Sequence, residues 1–290
     1  MKKLIPLLLC LALLLGGCGA QKTYEIVATT APVWQFARAV CEGTGLEVGL
    51  VVSDAVSCLH DHTLSVRQMV AVEKAKVVIL SGGSLEEFME DALKDKDVRI
   101  ECSGGVELLE GEHDHEDEHG HDHGEEADPH IWLDPDNAAI MTRNIAEGLS
   151  ALYPEHAETF AANAEAYCAR LAALKAEGQE ALSGLSCRDL ITFHDGFAYF
   201  ARAFDLHILA AIEEESGSEA SAKELKELTE LIRAENLPAV FVEKNGSRSA
   251  ASILSRETGC AVGVLDMIMS GTDYFEAMEA NIRAVKEALS

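Results

Sequence analysis

Ala239-Val240-Phe241-Val242-Glu243, then Ser247 to Thr258, then Ala261-Val262-Gly263-Val264-Leu265 reveal the architecture of the chain. Two short apolar runs of strand type enclose a helical pattern. Strands that alternate with helices imply parallel βα units. The same rhythm runs upstream. Leu190 to Phe193 reads as a strand, Gly196 to Phe204 as a helix, Leu206 to Ile212 as a strand and Ser221 to Glu235 as an amphipathic helix. Downstream, Tyr274 to Leu289 closes the chain as a helix.

The first half shows the same alternation. Strands are expected at Ile26 to Thr30, Leu46 to Val52, Lys76 to Ser81 and Val98 to Cys102. Helices are expected at Pro32 to Cys41, Ser65 to Glu73 and Leu85 to Leu93. Between the halves, Pro135 to Leu152 and Pro154 to Leu185 are strongly helical. The second is long and alanine-rich, which suits a spacer better than an ordinary crossover. The expected fold is therefore α/β: two (β/α)4 lobes with parallel sheets, joined by a long spacer helix. At 290 residues the chain is large enough for two lobes, and 48% hydrophobic residues suffice for their cores. The expected division is an N-terminal lobe over 24–150, a spacer over 151–186 and a C-terminal lobe over 187–290. In such sheets ligands bind beyond the carboxyl ends of the strands, so the interlobe cleft is the expected site.

The first residues read as an export signal over 1–17. Lys2 and Lys3 precede an apolar stretch, Leu4 to Leu15, that is short for a membrane span. Leu15-Gly16-Gly17-Cys18 looks like a bacterial lipobox, with Cys18 as the lipidated residue and 18–23 as a tether. The alternative is an ordinary signal peptide with an incidental cysteine. The expected location is extracytoplasmic, anchored to the cell membrane by lipid. Beyond Cys18 lie Cys41, Cys58, Cys102, Cys168, Cys187 and Cys260, with no CxxC pair, so a thiolate zinc knuckle is not expected. An exported protein can pair some of them, in a pattern that spacing does not reveal. A net charge of −27 argues against nucleic acid, which needs clustered Lys and Arg.

Eleven histidines are unevenly placed. Five, His113, His115, His119, His121 and His123, sit among Asp and Glu in a low-complexity insert over 110–128. Such a composition builds no packed core, though repeated imidazoles and carboxylates can hold a metal weakly. His60 and His62 follow the second strand, His130 precedes Ile131-Trp132-Leu133, and His194 follows Ile191-Thr192-Phe193. A strand end or strand-to-helix turn fixes the backbone, so a side chain there can be aimed into a cleft. Neutral imidazole is a preferred zinc ligand. Asp266 and Glu243, at matching strand ends, could add a fourth ligand or orient one. Taken singly, each of these histidines is more often an ordinary surface or core residue.

Asp128-Pro129-His130-Ile131-Trp132-Leu133-Asp134-Pro135 matches a DPHxWLDP segment, and Phe193-His194-Asp195-Gly196-Phe197-Ala198-Tyr199-Phe200 an FHDAFxYF segment. Glu219-Ala220-Ser221-Ala222 resembles an EPSA motif, and His60-Asp61-His62-Thr63-Leu64-Ser65 a first ligand segment. Val242-Glu243, Glu257-Thr258-Gly259 and Leu265-Asp266 match closing strands. Through these segments the chain resembles the solute-binding lipoproteins of zinc and manganese ABC importers, in their zinc-specific branch. The resemblance implies His60, His130 and His194 as ligands, with Asp266 at a position that supplies a fourth in some members. Histidine at the third position goes with zinc, glutamate with manganese. It further implies Zn2+ as the transported ligand, a permease and its ATPase as partners, a monomer, and no catalysis. Loops like 110–128 mark many zinc-specific members. The chain departs from the pattern before the first histidine, where Ser53 to Leu59 replaces the usual Gly and Pro, and at Met267, where proline is usual. His62 stays open as an alternative to His60, and Glu243 or water as an alternative to Asp266.

Other readings share the ligand chemistry. Manganese or iron is the alternative cargo. Three histidines and an open position also describe a hydrolytic zinc, but no HExxH or nucleophile motif is present. A surface zinc buffer or adhesin would use the same cleft. Because imidazoles bind metal when neutral, affinity should fall as pH drops below about 6.5. The spacer helix is expected to keep lobe movement small.

Overall fold

The computed structural model describes residues 22–53, 59, 62–109, 127–212 and 220–290. Cys18, Cys58, His60 and the five insert histidines lie outside them. Two four-stranded parallel sheets are present. The first holds β1 (Ile26–Ala28), β2 (Val48–Leu50), β3 (Val77–Leu80) and β4 (Arg99–Glu101) in the order β2-β1-β3-β4. The second repeats that order as β6-β5-β7-β8, with β5 (Asp189–Thr192), β6 (His207–Ala211), β7 (Ala239–Glu243) and β8 (Ala261–Leu265). In each sheet the strand order reverses beside the first strand of its half. Connections leaving the carboxyl ends there diverge and leave a crevice.

The helices are α1 (Ala31–Val40), α2 (Val66–Lys74), the short α3 (Glu90–Leu93), α4 (Pro135–Leu152), α5 (Ala157–Leu182), α6 (Ala198–Ala203), α7 (Ala222–Glu235), α8 (Ser249–Thr258) and α9 (Tyr274–Leu289). Their ends follow from local chemistry. α2 and α7 open with reciprocal capping boxes, Ser65 with Gln68 and Ser221 with Glu224. Asp273 starts α9 by accepting the Phe275 and Glu276 amides. α7 and α8 end on left-handed residues, Asn236 and Gly259.

α5 is shorter than the helical pattern suggested, because Pro154 to His156 forms a separate 3-10 turn before it. Its 26 residues still run about 39 Å at the standard rise. It buries Phe160, Ala164, Tyr167, Cys168, Leu171, Leu174, Gly178 and Leu182, one stripe at helical spacing. That stripe packs along α4, touches α1 of the first lobe and meets α9 of the second. The principal core is consequently continuous through both lobes, from Ile26 and Phe36 through Tyr167 to Tyr274 and Leu289. A second cluster, with Ile191, Leu228, Ile232, Val240 and Leu254, fills the outer side of the second sheet.

Direct bonds join the lobes as well. The Gln35 side-chain amide donates to Thr272 O (2.8 Å) and accepts from Tyr274 N (2.7 Å). Trp132 Nε1 donates to Met267 O at 2.9 Å, and Tyr274 OH to Trp132 O at 2.8 Å. Cys41, Cys102, Cys168, Cys187 and Cys260 are free thiols. Burial pushes the Cys41 thiol up to about 12, so it packs as a small apolar group.

Candidate metal centre

His130 does not stand at a strand end. It precedes a 3-10 turn, Ile131–Leu133, whose three side chains are fully buried. Apolar anchoring on its far side therefore sets the position of the histidine. Asp128 sets its orientation. One oxygen, Asp128 Oδ1, accepts the His130 amide at 2.9 Å and faces His130 Nδ1 at 2.8 Å. Nδ1 then carries the proton, and the Nε2 lone pair is left to point outward, as a metal ligand requires. Asp128 Oδ2 is buried and has no hydrogen-bond partner among the described residues.

His194 stands two residues beyond β5, at the point where the second sheet reverses its order. The Phe193 amide still pairs with Phe241 O at 2.9 Å, so the strand geometry reaches the residue before the histidine. The two imidazoles meet nearly at right angles, ring centres 5.1 Å apart. Their Nε2 atoms are 3.3 Å apart. A tetrahedral zinc with bonds of about 2.0–2.1 Å holds each pair of donor nitrogens about 3.3 Å apart. The rings close in over Gly196, where a Cβ would lie 2.8 Å from His130 Cε1 and His194 Cδ2.

The remaining candidates are placed differently. His62 Nε2 faces the Gln68 side-chain amide at 3.4 Å and its ring packs on Phe88, at the start of α2. Glu243 and Asp266 are buried neighbours at the ends of β7 and β8. Burial pushes the Glu243 carboxyl up to about 8, and the nearby Asp266 charge adds to the rise. Asp266 Oδ2 accepts from Lys244 Nζ at 2.8 Å, and Oδ1 from the Ile268 amide at 2.7 Å. Among the described residues no group of three His, Cys, Asp or Glu side chains converges. His156 packs on Phe160, and His207 faces Asp189 on the surface.

Two supporting residues escaped sequence reading. The role of Asp128 was concealed inside its motif, although an acid two residues before a histidine is a visible signal. Tyr199 was visible only as one residue of the FHDAFxYF-like segment, with nothing to mark its partners. Its hydroxyl accepts the Leu109 amide at 2.9 Å and donates to Asp128 O at 3.1 Å. It thus pins both ends of the acidic insert beside His130. On the first sheet, buried Glu86 plays a comparable part. It accepts from Thr29 Oγ1 (2.6 Å), Ser81 N (2.7 Å) and Gly82 N (3.0 Å), joining the ends of β1 and β3.

A family model described as the periplasmic component A of the zinc-uptake complex, ZnuA, matches residues 26–288. The zinc-binding lipoprotein AdcA of Streptococcus pneumoniae serotype 4 is 33% identical, over 99% of this chain and 61% of the relative. The zinc-binding protein AdcA of Streptococcus pyogenes serotype M6 is 28% identical, over 92% of this chain and 56% of the relative. The chain thus spans about three-fifths of the length of these curated relatives. A crystal structure of ZnuA superposes with a TM-score of 0.78 at 28% identity, covering 93% of this chain and all of that one. Zn(II)-bound AdcA from Streptococcus pneumoniae superposes with a TM-score of 0.77 at 29% identity, covering 92% and 58%.

Proposed function

The chain belongs to the family of periplasmic component A proteins of zinc-uptake complexes, and on that premise we propose that it captures Zn2+ outside the cytoplasm and delivers it to an ABC permease. The observation that carries this reading is the 3.3 Å gap between His130 Nε2 and His194 Nε2, the spacing of two donors on one tetrahedral zinc. His60 is proposed as the third imidazole. Asp128 holds His130 in the tautomer that leaves Nε2 for the metal. The fourth position is left to water.

The task is capture and handover without chemical conversion. His130 reaches the site from the segment that follows the first sheet, and His194 from the second sheet. The ion therefore ties the two halves together and stabilises the fold by mass action. The acidic insert, emerging beside His130, gathers zinc weakly. Cys18 is proposed as the lipid anchor, the permease and its ATPase as partners, and a monomer as the working form.

The test offers equimolar Zn2+ and Mn2+ to the full chain and weighs the retained complex by native mass spectrometry. The reading expects one tightly held zinc, lost in both H130A and H194A. Retained manganese in preference to zinc would assign the other cargo. Tight zinc in both variants would remove the site.

A further inference from the structure

Lys244 follows the last residue of β7, and its amide continues the ladder to Leu265 O at 2.8 Å. Its backbone is thereby held beside the end of β8, from which Asp266 departs. Lys244 Nζ then lies 2.8 Å from Asp266 Oδ2 and 2.9 Å from Thr272 Oγ1. The other carboxylate oxygen takes the Ile268 amide at 2.7 Å. The Asp266 main chain is fixed too, since Asn281 accepts its amide (2.7 Å) and donates to its carbonyl (2.9 Å). Each Asp266 oxygen thus has a donor, and one of the donors is a cation.

The histidine pair is close at hand. The His130 and Trp132 rings meet edge to face, 5.4 Å between centres, and the Trp132 indole bonds the residue next to Asp266 at 2.9 Å. Yet Asp266 does not join the pair as a third converging group among the described residues. A carboxylate already bearing an ammonium ion is a poor ligand for a dication, because the two positive charges would repel across it.

We propose that Lys244 holds the Asp266 carboxylate off the metal, so that this chain binds its cation through imidazoles and withholds the oxygen donor that a harder ion would need. The inference rests on the zinc-capture reading above. Lys244 is a specificity-determining residue in this arrangement and touches no metal itself. Oxygen ligands suit manganese and imidazoles suit zinc, so masking a carboxylate favours zinc.

The experiment measures Zn2+ and Mn2+ affinities of the full chain by chelator competition, in the parent, K244M, K244Q, D266N and K244M/D266N. Cobalt absorption reports coordination number in each. Lys244 is 44% exposed, so its replacement should not prevent folding. D266N alone should stay within about threefold of the parent for zinc. K244M and K244Q should tighten manganese about tenfold, the change expected when a supporting group of a metal site is altered. Their cobalt bands should weaken as a fifth ligand enters, and K244M/D266N should return to the parent spectrum. A large loss of zinc affinity in D266N would show Asp266 already on the metal and overturn the proposal. Unchanged manganese affinity and spectra in both lysine variants would do the same. Should the parent hold no zinc while H130A and H194A match it, the capture reading falls and this inference falls with it.

Discussion

Asp128 illustrates how one side chain can orient a buried histidine for metal binding. A single oxygen engages both the backbone amide and Nδ1 of His130, which fixes the ring and the tautomer together. D128A should therefore weaken zinc binding by about 10–100-fold while leaving the far-UV spectrum intact. Isothermal titration with a competing chelator measures this, and parent-like affinity would dismiss the orienting role. Glu243 makes a different prediction, for the metal-free protein. Its carboxyl rises from an ordinary 4.5 to about 8 in the folded chain, because burial disfavours its charge and Asp266 adds to that. Between those values the folded state holds a proton that the unfolded state has released. The contribution of this group to stability is complete below pH 4.5 and is lost as pH rises toward 8. The loss should amount to about 2–4 kcal/mol in the parent and vanish in E243Q. Urea unfolding of the metal-free proteins at acid, neutral and mildly alkaline pH compares the two slopes.

At the scale of elements, the spacer helix depends on one residue without a side chain. Gly178 lies in the interior of α5, where glycine is intrinsically unfavourable. A Cβ there would stand 2.5 Å from Phe204 Cε1 and 2.7 Å from Ile282 Cδ1, so the glycine permits α5 to sit close against the second lobe. G178A would gain helix propensity but overpack this contact. The net expectation is a loss of about 1–2 kcal/mol, read as a lower urea midpoint at unchanged slope. A gain in stability would mean that the ring gives way freely. The N-cap of α7 offers a simpler case. Ser221 accepts from Glu224 N, and Glu224 returns the bond. S221A should cost about 1 kcal/mol, by the same measurement.

For the whole molecule, the continuous core and the Gln35 and Trp132 bonds oppose a wide hinge. Free and zinc-loaded protein should give superimposable small-angle scattering curves. A clear contraction on loading would contradict a stiff spacer. Zinc should raise the melting temperature, since an ion in thousandfold excess over its dissociation constant adds about 4 kcal/mol. The gain should disappear with chelator and in H130A, as thermal melts would report.

The chain order of strands and helices was legible from apolar runs alone, and two parallel four-stranded sheets follow from that alternation. β7, β8, α4 and α9 begin and end where the sequence pattern places them. Other elements are trimmed, as at β1 and β2, although single backbone bonds such as Thr29 N to Ile79 O and Val52 N to Thr29 O reach beyond their ends. The motifs around His130 and His194 were equally readable, since each lies within a contiguous segment. Neighbours along the chain thus encode periodicity, caps, and an acid two residues before a histidine. Folding alone brings residues 64 positions apart to present their Nε2 atoms 3.3 Å from each other. The tertiary structure also decided that Lys244 covers Asp266. That contact depends on the register that pairs Glu243 with Leu265. Register joins two strands brought together by folding, so the apolar pattern of one strand alone does not fix which residue of the other it meets.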